Sequence, residues 1–141
     1  MEIINKAQET ILTLFCDIID SKEFYLTGGT ALSFFYLRHR KSNDLDFFTN
    51  SPELTLPFSY NLEENLRKIN CLTQRQRALH SFVELVATKD KESTVIHLAQ
   101  DTPYRIESLK QFPVYPKLNV DSLIDISTNK IEQRGILHAV I

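Results

Sequence analysis

Cysteine is scarce and scattered in this chain of 141 residues: Cys16 and Cys71 form no Cys-x-x-Cys pair and do not cluster with the four histidines. That distribution argues against a zinc site and leaves two reduced, buried thiols. An excess of charge is also missing, with 16 Lys and Arg against 18 Asp and Glu and a net charge of −2. No chain-wide electrostatic footprint for nucleic acid follows, so any such contact must come from local patches. Two are present: Arg38-His39-Arg40-Lys41, and Arg67-Lys68 with Arg75 and Arg77. No apolar run approaches the length of a membrane span, and the polar, acidic N-terminus is unlike a signal peptide, so no membrane is involved and the cytoplasm is the expected compartment. Repeats and low-complexity tracts are absent. What remains, 43% hydrophobic and 24% charged residues, is the composition of an ordinary soluble protein, expected to form one domain over 1–141.

Apolar spacing organises that domain. Ile3 or Ile4, Ala7, Ile11, Leu14, Phe15, Ile18 and Ile19 recur at intervals of three and four, which predicts an amphipathic helix over 3–20 within an N-terminal region 1–20. The core, 21–99, begins with a short apolar strand over 24–27, and Ala31, Leu32, Phe34, Phe35 and Leu37 continue as a helix from a Gly-Gly turn. A strand over 44–48 follows, then a loop marked by Pro52 and Pro57, and a helix over 60–68 with Leu62 and Leu66 inward. Segments 72–79, 81–88 and 94–99 read as an antiparallel meander. Pro103, Pro113 and Pro116 make 100–119 irregular, and Asp121 is the expected N-cap of a final helix within 120–141. This order implies an α+β fold: one mixed, mostly antiparallel sheet of about five strands flanked by helices.

Two short segments carry the chemistry. Phe24-Tyr25-Leu26-Thr27-Gly28-Gly29-Thr30 puts glycines at a helix start, where unpaired N–H groups and partial positive charge suit phosphate. Ser42-Asn43-Asp44-Leu45-Asp46-Phe47-Phe48 puts Asp44 and Asp46 two apart on a strand, on one face, with Leu45 and Phe47 on the other. Two carboxylates beside that much apolar surface call for a cation or a strong set of donors. Hard oxygen ligands beside a phosphate cradle are what Mg²⁺-dependent phosphoryl or nucleotidyl transfer requires.

Leu26-Thr27-Gly28-Gly29-Thr30-Ala31-Leu32 followed by His39-Arg40-Lys41-Ser42-Asn43-Asp44-Leu45-Asp46-Phe47-Phe48 closely resembles the nucleotidyltransferases of the AbiEii/AbiGii toxin family, within the DNA polymerase β-like superfamily. More loosely, Leu123-Ile124-Asp125 and Asn129-Lys130 are similar to a later helix of the family. The resemblance implies a polymerase β-like nucleotidyltransferase domain in which Gly28, Gly29, Thr30 and Lys130 bind the NTP triphosphate. Asp44 and Asp46 would hold Mg²⁺, two ions in a full site. It also implies transfer of a nucleoside monophosphate to an acceptor hydroxyl, of RNA and in some members of tRNA, by a toxin paired with an antitoxin.

Two departures from the family bear on these expectations. A third carboxylate joins the metal site from a later strand in the superfamily, and by pattern His97 stands at that position here. Neutral imidazole is a poor Mg²⁺ ligand, though it can take the proton from an attacking hydroxyl. Two other readings stay open: His97 packs at a sheet edge, or Glu84 on the neighbouring strand supplies the third acid. The second departure is length: family members continue into a helical region that helps hold the acceptor, so this chain reads as a short or truncated member. The alternatives are a degenerate member that binds nucleotide or a partner without transfer, and transfer onto a protein side chain.

Overall fold

The computed structural model describes residues 2–128. Its elements are α1 (Lys6–Phe15), β1 (Phe24–Thr27), α2 (Gly28–Ala31) running into a π-helical turn (Leu32–Leu37), β2 (Asp44–Thr49), α3 (Thr55–Lys68), β3 (Leu72–Leu79), β4 (Phe82–Lys89), β5 (Glu92–Gln100), β6 (Lys110–Phe112), β7 (Tyr115–Val120) and α4 (Leu123–Thr128). The strands form one sheet in the order β3-β4-β5-β2-β1-β7-β6. Pairs β2–β5 and β1–β7 are parallel and the others antiparallel. The expected α+β fold with a mixed, mostly antiparallel sheet is therefore found, with seven strands instead of about five.

The two extra strands, β6 and β7, lie in the segment expected to be irregular. Pro113 falls in the turn between them, and Pro116 lies within the register shift between the pairs Phe112↔Tyr115 and Lys110↔Val120. Proline at such a break does not interrupt a regular ladder. Helix α1 is shorter than 3–20 at both ends: Asn5 and Gln8 form a capping box that sets its start, and Cys16 caps its end. Helix α3 starts earlier than expected, at Thr55, with Pro57 in its first turn, where a missing N–H leaves no helix hydrogen bond unmade. No helix among the described residues is long and apolar enough to cross a membrane.

Alternation along the strands gives the sheet two unlike faces. Phe24, Leu26, Leu45, Phe47, Val83, Leu85, Ile96 and Leu98 are almost wholly buried with Ile11, Leu12 and Phe15 of α1 and Phe58, Leu62 and Leu66 of α3. The Phe15 ring stacks on Phe47 with centroids 3.9 Å apart, and Phe24 stacks on Phe58 at 4.5 Å. Aromatic pairs of this kind add about 0.5–1.5 kcal/mol each beyond the apolar area they bury. Leu45 and Phe47 thus lie on the core side and commit Asp44 and Asp46, between and before them, to the opposite face.

Candidate active site

Strand β1 delivers the chain to the turn in which Gly28 has φ of +75°, the left-handed region open to glycine at no steric cost. A Cβ there would press into the Asp46 carboxylate, 3.1 Å from its Cγ and closer still to Oδ2. At Gly29 a Cβ would lie 3.0 Å from an Arg40 guanidinium nitrogen and 3.5 Å from Ser42 Oγ. Each glycine therefore makes room for a side chain arriving from the next segment, Asp46 over Gly28 and Arg40 over Gly29. Gly28→Ala is expected to lower unfolding stability by about 2 kcal/mol, from left-handed strain and the collision with Asp46. Urea unfolding checks this; a midpoint equal to that of the parent protein would contradict the packing.

Asp44 and Asp46 line a cleft of about 360 Å³ together with Thr27, Gly28, Gly29, Arg40, Ser42 and Asn43, with Leu32 and Ile126 as its apolar walls. Thr30 does not line it: its buried hydroxyl donates to the Asp44 carbonyl oxygen and fixes the start of β2. The Asp44 carboxylate has no hydrogen-bond donor among the described residues. Burial first, then the neighbouring Asp46 charge, push its carboxyl above the ordinary value.

Parallel pairing of β2 with β5 sets Asp46 opposite His97, and antiparallel pairing of β5 with β4 sets His97 opposite Glu84. His97 Nδ1 lies 2.8 Å from Asp46 Oδ1, while Nε2 is 3.9 Å from the nearer Glu84 oxygen, beyond hydrogen-bond range. The Phe82 ring stacks on the imidazole at 5.6 Å. The bond to Asp46 raises His97 above the usual imidazole range, against the opposing effect of burial. With Nδ1 donating to a carboxylate, the neutral ring keeps its lone pair on Nε2.

A second polar network lies behind the cleft. Asp121, at the end of β7, donates its N–H to the Leu26 carbonyl at 2.9 Å, accepts from Tyr36 Oη at 2.7 Å on its own carbonyl, and takes a hydrogen bond from Thr27 on its carboxylate. Burial pushes that carboxyl up to about 7. Tyr25 Oη donates to Asp101, and Arg105 lies over the Tyr25 ring at 4.9 Å. Asp125 accepts from the Ile106 and Glu107 N–H groups at 2.7 and 2.9 Å, tying the segment after β5 to α4. The N-cap of α4 is Ser122, whose Oγ accepts from the Asp125 N–H at 3.1 Å, and not Asp121, whose buried carboxylate is taken up by Thr27.

The site residues singled out from sequence thus divide. Gly28, Gly29, Asp44 and Asp46 meet at the cleft; His97 stands behind Asp46; Thr30 braces β2 from below. Lys130 lies outside the described residues. Ser42, Asn43 and the Thr27–Asp121 contact carry no site signal of their own in the sequence, where Arg40 stands out only as one of a basic run. Its signal was the position of that run immediately before the Asp pair.

Among known families, the model described as nucleotidyl transferase AbiEii toxin, type IV toxin–antitoxin system, matches residues 11–134. The chain belongs to the AbiEii family. Solved structures similar to this AbiEii-family chain include a protein from H. pylori assigned as a nucleotidyltransferase, 18% identical with a TM-score of 0.60 over 89% of this chain and 55% of that one. JHP933 from Helicobacter pylori is likewise 18% identical, with a TM-score of 0.59 over 89% of this chain and 53% of that one. At such identity the likeness shows a common fold. The AbiEii-family chain spans just over half the length of both structures. No curated protein matches its sequence.

Proposed function

We propose that this AbiEii-family protein is a Mg²⁺-dependent nucleotidyltransferase that moves a nucleoside monophosphate from an NTP to an acceptor hydroxyl, with RNA, including tRNA, as the acceptor class. It acts in the cytoplasm as the toxin of a toxin–antitoxin pair. The observation that carries this reading is the convergence of Asp44 and Asp46 with the Gly28-Gly29 turn on one cleft. Among the described residues no set of three His, Cys, Asp or Glu side chains converges on a metal position. Two carboxylates still fit Mg²⁺, which usually takes one or two from the protein and fills its shell with substrate phosphate and water. The half-buried, donorless Asp44 carboxylate is the group that most needs such a cation.

Asp44 and Asp46 would hold the metal, whose contribution when bound is to neutralise charge on the phosphoryl oxygens. The acceptor oxygen bonds to the α-phosphorus as the α–β anhydride bond breaks, and pyrophosphate leaves with the electron pair. His97, held through Nδ1 by Asp46, presents Nε2 as the base for the hydroxyl proton. Gly28 and Gly29 bind the triphosphate as part of the turn over which Asp46 and Arg40 are admitted, and Lys130 serves its charge.

Incubation with each α-labelled NTP, Mg²⁺ and total RNA tests the proposal, with label expected in the RNA. Label in protein instead would keep the site and change the acceptor to a side chain. One observation favours a second reading, nucleotide binding without transfer: at the expected place of a third acid, His97 occupies Asp46 Oδ1. Mg²⁺-dependent NTP binding with no label in RNA or protein would establish that reading. Gain of transfer in His97→Asp would then identify the missing carboxylate as its cause, whereas loss of transfer in this variant supports His97 as the base.

A further inference from the structure

The cleft carries both signs of charge and keeps them apart. Asp46 reaches the Gly28 end of the turn and Arg40 the Gly29 end. Arg40 is the single cationic side chain lining the cleft among the described residues, and it makes no ion pair with Asp44 or Asp46 despite lining the same space. Its Nη1 donates to the Lys41 carbonyl at 3.1 Å, and the side chain is otherwise exposed. A terminal nitrogen of the guanidinium and the Ser42 hydroxyl gather over Gly29. An exposed planar guanidinium beside a hydroxyl, with no ion-pair partner among the described residues, has the fork that takes a bidentate oxyanion.

We propose that Arg40, with Ser42, grips the β- and γ-phosphates of the nucleoside triphosphate, the half that leaves as pyrophosphate. This rests on the nucleotidyl-transfer reading above. The α-phosphate then lies toward Asp44 and Asp46, where the acceptor oxygen forms the new P–O bond. When the α–β bond breaks, its electron pair stays on the bridging oxygen of pyrophosphate, and the fixed charge of Arg40 lies at the end of the cleft where that negative charge grows. A backbone phosphate of the RNA acceptor has the same oxyanion chemistry. The size of the cleft, about 360 Å³, suits a mononucleotide tail better than a polynucleotide strand.

The test measures equilibrium binding of the four α,β-methylene NTPs and the four matching NMPs, in Mg²⁺, to the full chain and to Arg40→Ala and Arg40→Lys. Arg40→Ala should weaken the triphosphate analogues by about 10- to 100-fold, the loss of charge-assisted hydrogen bonds, while NMP affinity changes little. Arg40→Lys should fall between, because a point charge lacks the planar fork. It also supplies the comparison if Arg40→Ala fails to fold. Equal losses for triphosphate and monophosphate would overturn the assignment, and so would unchanged NTP binding with weakened binding of an RNA oligonucleotide. Absence of triphosphate binding by the unmodified protein would instead overturn the nucleotide reading itself, a failure seen before any variant is compared.

Discussion

Asp44→Ala is expected to cut transfer of labelled nucleotide by roughly 10³-fold or more, the loss of several kcal/mol of transition-state stabilisation at the phosphoryl group. The fold should survive. The Asp44 side chain receives no hydrogen bond among the described residues, and the contact that matters to the sheet, from the Thr30 hydroxyl, is made to the Asp44 backbone carbonyl. Burial and the Asp46 charge both disfavour its ionised form, so removal relieves a cost and does not expose one. Thermal unfolding should therefore show a melting temperature equal to or above that of the parent protein. Asp46→Ala is a less clean experiment, because it also leaves His97 without its 2.8 Å partner. Undiminished transfer by Asp44→Ala, with its fold verified, would sink the assignment of this carboxylate.

Asp121 should make stability fall as pH rises from about 4 to about 7. Its carboxyl sits at about 7 in the folded chain against an ordinary 3.8. Below the ordinary value the group is protonated in both states and its contribution is fully present. Between the two values the unfolded chain ionises while the folded one retains the proton, so each rise in pH favours unfolding. Integrated over the window the loss is of order 4 kcal/mol, a large share of the stability of a small domain. Asp121→Asn should take the Asp121 share out of this slope, because the amide cannot ionise and its oxygen can still accept from Thr27. Urea unfolding at steps between pH 4.5 and 8 reads the difference, and groups common to both proteins, including His97, cancel in the comparison. Parallel curves for the two proteins would show that Asp121 is not the titrating group. The residue also joins the end of β1 to the π-helical turn through Leu26 and Tyr36, so what ionises is a brace of the Gly28-Gly29 turn.

Much of the framework was legible because local patterns carry it. The meander of β3, β4 and β5 was read from alternation and a polar turn, and its bounds differ from the expected ones by two residues or fewer. Strands β6 and β7 were not read, because prolines near them signal irregularity. Their pairing, with each other and at Leu26↔Val120 with β1, depends on partners that the local sequence does not name. Asp121 looked like a helix cap because Asp before an apolar run often is one. Folding buried it against Thr27 and gave the cap to Ser122.

By itself the sequence determined which way the two acids face and where the turn must lie. Both follow from backbone geometry: alternation sends Asp44 and Asp46 away from Leu45 and Phe47, and glycine adopts a φ of +75° without strain. Tertiary structure alone decided what meets those groups. His97 reaches Asp46 across 51 residues because β5 runs parallel to β2, a choice made by the packing of the whole sheet. Arg40 and Asp46 come together over neighbouring glycines because the segment leading into β2 folds back across the turn. No periodicity encodes these contacts, since they depend on strand order and on which buried faces pair, and both are settled only when the core closes.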